Sequence, residues 1–442
     1  MTSANNSNNT IALIENGRLQ PFGFDPFQIC KEQGLDTILV TSNLSEYLKT
    51  AVSKQSVATY VDEVIEADIS DSAGVLAALA EAGATSRLGG VFSVTEYSVV
   101  VVAEVAEALG LPGLSPAAAL NARHKQRTRQ LCAAAQVPVP EFFWVRSATE
   151  ARDAAARLAG ACVVKPPSEA GGIGVKLCTT PADAERQYER IAVAATDRRG
   201  NPRPPGVLVE EYLPGYQVSV EVVYSGGRHH IVGVTDELFG PHPHFVELGE
   251  NFPSTLPEDA QRDCGEVAVR ALRAIGHDFG VAHVEVRMTS GGPVLIEVNG
   301  RLAGAQITRL IYEAHGLHLA REAIRVHAGL PPDLGKRGDR AAAVRYLSSP
   351  AEGVLADVRG VPLAKTMPGV TEIALYVAPG EPVRTPESIG DLTGYVIAVG
   401  ETGGEAVRRA EAAAVELCFD VDPAGIGSAA GPGRAGGRVL RP

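Results

Sequence analysis

The stretch VAHVEVRMTSGGPVLIEVNGR, residues 281–301, leaves the chain few choices. Two apolar runs, 281–286 and 293–298, flank Thr289-Ser290-Gly291-Gly292. That arrangement predicts a β-hairpin of half-buried strands. Glu285 stands among valines on the first strand and Glu297 on the second, and a turn centred near Gly291 sets them opposite each other. Strand side chains alternate, so Asn299 points the same way as Glu297. Two facing carboxylates on an otherwise apolar ladder repel and are expensive to bury unpaired. A hard divalent cation removes both problems, because Mg²⁺ takes oxygen ligands from one or two carboxylates and completes its shell with water and phosphate. Arg301 follows soon after, a guanidinium suited to a carboxylate or phosphate. The plainer alternative is a solvated strand edge with two ordinary salt bridges.

A chain of 442 residues exceeds one small core, so roughly two to four subdomains are expected. Its 45% hydrophobic and 21% charged content is that of a soluble globular protein. A net charge of −12 argues against a nucleic-acid partner, since phosphate backbones are held by excess lysine and arginine. A nucleotide needs only local positive charge and stays open. The six cysteines form no CxxC pair, which suggests reduced, buried thiols in a cytoplasmic protein. The polar start MTSANNSNNT lacks the apolar core of a signal peptide, and runs such as 75–80 and 99–103 are far below a membrane span.

Residues 10–14, 37–41, 61–65 and 89–94 read as strands, alternating with helices over 27–33, 71–82 and 97–109. Such alternation predicts a parallel α/β sheet. After the first strand comes Glu15-Asn16-Gly17-Arg18 rather than G-x-G-x-x-G, so a dinucleotide site fails. This unit is expected to be scaffold plus part of a substrate pocket. Residues 115–134 read as one helix capped by Ser115 with Pro116 at its first position. It carries Arg123, Lys125, Arg127 and Arg129, whose plain reading is a solvated face. A strand at 142–145 and a helix at 148–159 precede CVVKPPSEAGGIGVKLC, where Lys165 closes an apolar strand before the glycine loop 168–174. Glycine lets backbone N–H groups approach a phosphate closely. No P-loop pattern is present, and a simple hairpin turn is the alternative. Strand 207–211 ends in Glu210-Glu211-Tyr212-Leu213, ahead of a strand over 217–224. Residues 240–256 read as a polar loop holding His242, His244, Glu247 and Glu250. Their spacing matches no common zinc signature, and a substrate-selecting loop is preferred. A helix over 257–276 leads into the hairpin, and Ala303-Gly304-Ala305 opens a helix running through 318–329. A linker (331–340), strands at 341–347, 371–377 and 395–400 and a helix at 403–419 form a small α/β appendage before a Gly-rich, disordered tail.

Taken in order, these pieces resemble the ATP-grasp superfamily of carboxylate–amine ligases. The likeness covers roughly residues 115 to 329, and the preceding α/β unit matches in type and position. Five features carry it: Lys125, Lys165 with the loop from Ser168 to Gly174, the EEYL run, Glu285, and Ile296-Glu297-Val298-Asn299-Gly300-Arg301. Each is weak alone; their order is specific. The layout looks most like the bacterial L-amino-acid ligases that make dipeptides and their biosynthetic relatives. His244-Phe245-Val246-Glu247, Asn251-Phe252-Pro253 and Arg301-Leu302-Ala303-Gly304 carry that nearer similarity.

The resemblance implies an α/β ATP-grasp fold: an N-terminal parallel α/β domain (1–114), a two-lobed nucleotide-binding core (115–330, lid about 139–206), a C-terminal α/β subdomain (331–422) and a tail (423–442). It also assigns roles. Lys125 and Lys165 would contact ATP phosphates, with Ser168, Gly171, Gly172 and Gly174 closing over them. Glu210, Glu211, Tyr212 and Leu213 would hold adenine, largely by backbone, and Gln217 stands where many relatives place a ribose-binding glutamate. Glu285, Glu297 and Asn299 would bind two Mg²⁺ ions, with Mn²⁺ as a substitute. Arg301 and Lys165 would serve the phosphoryl transfer, while Glu247, His244, Glu250, Arg301 and Gly304 would line the substrate. Glu247 would face a substrate amino group; at Glu250 the chain departs from dipeptide-forming relatives, which carry histidine near that position. The implied activity is amide formation through an acylphosphate, releasing ADP and phosphate, in a cytoplasmic homodimer acting on a small carboxylate and amine, with no membrane partner. The alternatives are a biotin-carboxylase-like or purine-type carboxylating enzyme, and a non-catalytic nucleotide-binding protein.

Overall fold

The computed structural model describes residues 9–15, 24–49 and 51–423. The loop expected after the first strand falls largely outside them, and the expected tail almost wholly. Strands β1 (Thr10–Ile14), β2 (Asp36–Thr41), β3 (Glu63–Glu66) and β4 (Leu88–Phe92) pair in parallel in the order β3-β2-β1-β4. β1 is the apolar run TIALI, buried along its whole length as the centre of a doubly covered parallel sheet requires. Asp25 and Asp71 cap the helices Pro26–Glu32 and Ser72–Glu81 with their carboxylates, and Gly110 ends Val99–Leu109 in a left-handed conformation. Two further helices, Leu44–Tyr47 and Ala51–Tyr60, were not expected; the second buries only Ser56, so no apolar stripe announces it.

At the carboxyl end of β1, Glu15 is wholly buried and accepts hydrogen bonds from Ser93 Oγ (2.9 Å) and Val94 N (3.3 Å). Burial pushes its carboxyl up to about 7, against the opposing pull of Ser93 and Arg199. The folded state then holds a proton that the unfolded chain loses near its ordinary value of 4.5, so stability falls as pH rises from there toward 7. Glu15→Gln is therefore expected to raise the unfolding free energy at pH 8 by about 2 kcal/mol and leave it nearly unchanged at pH 5. Thermal denaturation of both proteins at the two pH values checks this; an equal shift at both would refute it.

A second sheet joins β5 (Phe142–Val145), β6 (Cys162–Lys165), β7 (Lys176–Cys178) and β8 (Val207–Glu211), antiparallel in the order β5-β8-β6-β7. The helices Ala148–Leu158 and Pro181–Ala192 pack their alanines and Ile191 on one side of it. The glycine loop connects β6 to β7.

The strands that follow are β9 (Tyr216–Ser225), β10 (Arg228–Phe239), β11 (Glu247–Phe252), β12 (Gly280–Thr289), β13 (Gly292–Asn299), β14 (Ala341–Leu347), β15 (Gly353–Arg359), β16 (Val370–Leu375), β17 (Pro382–Val383), β18 (Gly394–Gly400) and β19 (Cys418–Asp422). Eight of them form one sheet, in the order β13-β12-β9-β10-β11-β14-β18-β16. Strands of the C-terminal appendage thus continue the sheet of the core, with β11 as the seam; β17-β15-β19 is a separate small sheet. Alternation gives the core half two unlike faces. Val218, Val220, Val222, Val284 and Val286 point into a core closed by the amphipathic helix Glu258–Ile275. The residues between them are polar and turn the other way.

Three expectations need correcting. Residues 115–134 are two helices, Pro116–Arg123 and Lys125–Ala134, parted at His124, whose extended backbone (φ −99°, ψ 103°) lets Lys125 N bond Pro167 O at 3.2 Å. The cap by Ser115 and the position of Pro116 are as expected. Arg123, Lys125 and Arg129 are buried, so the solvated-face reading holds for Arg127 alone. The helix after Ala305 is likewise two, Ile307–His315 and Leu319–His327, divided at left-handed Gly316. Finally, the expected loop over 240–256 contains strand β11. All six cysteines are free thiols, five of them buried and Cys418 exposed. Among the described residues no helix is long and apolar enough to cross a membrane.

Candidate active site

The polar face of the large sheet is a lattice set by register. Gln217 on β9 opposes Glu237 on β10 and Arg287 on β12; Ser219 opposes Thr235 and Glu285; Glu221 opposes His283. The last two rows continue onto β13, with Glu285 opposite Glu297 and His283 opposite Asn299, and Glu250 on β11 extends the Glu237 row. A bulge matters here. The hairpin turns at Ser290-Gly291, which by simple counting would place Ile296 opposite Glu285; an extra residue on β13 at that point brings Glu297 there instead.

These groups hold one another. Gln217 Nε2 donates to Glu237 Oε2 (2.8 Å) and Glu285 Oε2 (3.0 Å), while its oxygen accepts from Arg287. His283 Nδ1 meets Glu221 Oε1 at 2.8 Å, and its Nε2 faces Glu285 Oε1 at 3.7 Å and Glu237 Oε1 at 3.9 Å. Burial would lower His283, but Glu221 and its acidic neighbours outweigh it and hold the imidazole well above its usual range. Burial likewise would raise Glu285; the facing His283 imidazole, with Lys125 and Lys165, keeps it below. At the acidic end burial wins. Burial lifts Glu237 well above ordinary carboxylates, helped by the charges of Glu285 and Glu247, and lifts Glu250 likewise, helped by Glu247 and Glu237; Glu247 is pushed up to about 7 by burial and Glu285.

The cations approach from the other side. Lys125 Nζ is 2.8 Å from Glu297 Oε1 and 3.0 Å from Glu169 O in the glycine loop, so one ammonium ties the hairpin to the loop. Lys165 Nζ lies 2.5 Å from Glu210 Oε2, and Arg129 takes the same carboxylate at 2.5 and 3.2 Å while donating to the bulge carbonyl of Ile296 at 2.6 Å. Arg301 Nε is 2.6 Å from Glu96 Oε2, beyond β4 of the first sheet, and its Nη2 is 3.4 Å from Asn299 Oδ1. Gly171, Gly172 and Gly174 all have φ near +70°, where other residues are strained, and a Cβ on Gly171 would strike Ile389 at 2.7 Å. Ser168 is buried at the start of that loop. A Cβ on Gly304 would meet nothing within 4 Å.

The structure does not gather every residue singled out above. The Glu210 carboxylate is consumed by Arg129 and Lys165, and the amides of Glu211 and Tyr212 bond the carbonyls of Glu141 (2.9 Å) and Ala161 (3.1 Å). Arg287 donates to Leu213 O at 3.2 Å. His244 lies apart from Glu247 and Glu250: it bridges to Lys176 of β7, and its ring is 3.7 Å from Glu387. His242 meets the Tyr212 hydroxyl at 3.1 Å. Sequence reasoning missed Glu237, His283, Glu221, Arg129, Glu169 and Arg287. The one sign available was a polar residue at every second position along 217–221 of β9 and 283–287 of β12, which valines between them obscure.

Family models match this chain along most of its length: an ATP-grasp N-terminal domain over residues 27–113, an ATP-grasp domain over 158–309, and L-amino acid ligase C-terminal domain 2 over 345–422. A protein of Sinorhizobium fredii, y4rH, is 31% identical over 82% of this chain and 74% of its own length. The chain belongs to the ATP-grasp family. It is an ATP-grasp ligase, and its C-terminal match is to an L-amino acid ligase domain. Carnosine synthase 1 of Gallus gallus is 31% identical over 54% of this ATP-grasp chain, which spans 27% of that longer protein. The L-amino acid ligase of Bacillus licheniformis shares the fold, with a TM-score of 0.78 at 18% identity over 94% of this chain and 99% of the other.

Proposed function

We propose that this ligase joins the carboxylate of an amino acid or small biosynthetic acid to an amine through an acylphosphate. The observation supporting it most is the Lys125 ammonium, set between the glycine loop and the Glu285–Glu297 pair, where a triphosphate would lie. The substrate carboxylate attacks the γ-phosphorus, an oxygen–phosphorus bond forms, and the bond to the bridging oxygen breaks as ADP leaves. Phosphoryl transfer of this kind asks for positioning and charge neutralisation rather than a side-chain nucleophile. Lys125 and Lys165 supply fixed positive charge, and Lys165 would divide itself between Glu210 and a phosphate. Arg301, oriented by Glu96 and Asn299, would hold the substrate carboxylate or the transferring group. The amine then attacks the acyl carbon and phosphate departs with the electron pair. Acylphosphates hydrolyse, so the glycine loop from Ser168, packed against Ile389, serves to exclude water.

Glu285, Glu297 and Asn299 offer only oxygen donors on one face of the hairpin, and that set fits magnesium. Bound there, two Mg²⁺ ions, or Mn²⁺ in their place, would neutralise charge developing on the phosphates. Adenine would lie along Glu210 to Leu213, where the Leu213 amide bonds no backbone carbonyl among the described residues. Gln217 is so fully engaged that its ribose role would require it to release Glu237 or Glu285. Glu247 and Glu250, with Gly304 nearby in sequence to Arg301, would form the substrate end, where carboxyl oxygens can accept hydrogen bonds from a substrate amino group. His244 would act from the loop side. The same reading carries a cytoplasmic homodimer acting on small molecules, with neither nucleic acid nor membrane as partner.

Phosphate release should be screened over amino acids and carboxylic acids, singly and in pairs, with mass spectrometry of the products. The expected result is ADP formation that needs two substrates and a product lighter than their sum by one water. Phosphate release driven by bicarbonate alone would overturn this reading in favour of carboxylation.

A further inference from the structure

We propose that Glu237, His283 and Glu285 hold a divalent ion of the zinc or manganese class on the polar face of the large sheet, beside the magnesium that would accompany a nucleotide. The three ligand atoms lie within 4.8 Å of one another on strands β10 and β12, which flank β9. The separations from His283 Nε2, 3.7 and 3.9 Å, are too long for hydrogen bonds. They are close to the ~3.4 Å between two ligands that each stand about 2.1 Å from a tetrahedral ion.

The surroundings prepare these atoms for such a role. Glu221, wholly buried and outside the ligand set, takes His283 Nδ1 at 2.8 Å, which aims Nε2 at the two carboxylates; metal-binding histidines are ordinarily oriented in this way. The Gln217 amide holds Oε2 of both Glu237 and Glu285, leaving each Oε1 turned toward the imidazole. An independent sign comes from Ser219 and Thr235. Both are completely buried, neither hydroxyl has a hydrogen-bond partner among the described residues, and register sets them in the middle of the lattice, Ser219 directly opposite Glu285 and Thr235. Buried hydroxyls are rarely left orphaned. Water molecules completing an ion's shell would satisfy them. An imidazole ligand favours borderline ions over magnesium, which prefers oxygen throughout.

The other occupant of this geometry is an imidazolium shared by the carboxylates. The test is run without nucleotide, because Glu285 also belongs to the proposed magnesium set. Metal-free protein is titrated with Zn²⁺ by calorimetry and with Mn²⁺ by electron paramagnetic resonance, at millimolar background Mg²⁺. One ion per chain is expected. His283→Gln should weaken Zn²⁺ binding by 100-fold or more and Glu221→Gln by about 10–100-fold, whereas Glu297→Gln should leave it unchanged. Nitrogen NMR of the wild-type imidazoles, which needs no variant to fold, should show Zn²⁺ replacing the proton on His283 Nε2. Absence of binding, binding that survives His283→Gln, binding lost in Glu297→Gln, or an Nε2 that stays protonated under saturating Zn²⁺ would each overturn the proposal. Mg²⁺–ATP affinity measured separately keeps a failure here distinct from a failure of the ligase reading.

Discussion

Arg129→Ala is expected to lower the unfolding free energy by about 3–5 kcal/mol, the cost of breaking a buried ion pair by removing one partner. Arg129 is 1% exposed and Glu210 3%. The carboxylate is held on one side by two nitrogens of Arg129 and on the other by Lys165. Burial alone would raise Glu210, yet these two cations keep its carboxyl below the usual range. Without Arg129, a buried carboxylate must rely on Lys165, itself lowered by burial, and the Ile296 carbonyl at the bulge loses its donor. Arg129→Lys should recover little, since an ammonium cannot reach a carboxylate with two parallel bonds and a carbonyl at once. Glu210→Gln should cost less in the Arg129→Ala background than in the wild type, because the charge left behind would already be gone. Chemical denaturation of the four proteins gives the cycle. A wild-type midpoint for Arg129→Ala would show that the cluster holds up nothing.

The hairpin was legible because two independent rules agree on it: a glycine turn fixes the reversal and period-two alternation fixes the faces. Even so, the facing of Glu285 and Glu297 depends on something those rules do not contain. The turn lies half a residue earlier than a centre at Gly291, and only the bulge beside Glu285 restores the pairing. The parallel sheet was legible for the same reason as the hairpin, since TIALI and its neighbours are near-continuous apolar runs. Strand β11 was not. Glu247, Gly249, Glu250 and Asn251 contradict every local preference for a buried strand, and they are tolerated only because β10 and β14 satisfy the backbone on both sides. Arg129 failed for the converse reason. On a helix of basic residues nothing marks which cation is buried; its partner Glu210 lies 81 residues away, and pairing at that distance in sequence leaves no local trace. The family resemblance singled out Lys125 and the hairpin acids as a group, and the structure sets them side by side. It said nothing of Glu237, His283 or Glu221, whose meaning arises from three strands meeting.

Glu297→Ala is expected to reduce turnover by on the order of 10³-fold or more, about 4 kcal/mol of transition-state stabilisation, while the protein stays folded. Glu297 lies directly across from Glu285, with its side chain 20% exposed at the hairpin edge rather than sealed in the core. Truncation there removes no packing from the valine layer behind the sheet. It does remove the partner of Lys125, which would then swing with only the Glu169 carbonyl to hold it. Two explanations for lost activity must therefore be separated: a missing oxygen ligand and a misplaced ammonium. Glu297→Gln separates them, since its amide oxygen still accepts from Lys125 but carries no charge for a cation. If Glu297 serves a metal, the Gln variant should be nearly as slow as the Ala variant, and raising the Mg²⁺ or Mn²⁺ concentration should recover part of the rate in Gln but little in Ala. If it serves only to place Lys125, Gln should turn over almost normally and show no metal dependence beyond the wild type. Full activity in Glu297→Ala at ordinary Mg²⁺ would remove the hairpin acids from the chemistry altogether, and with them the reason for facing two carboxylates across a ladder of valines.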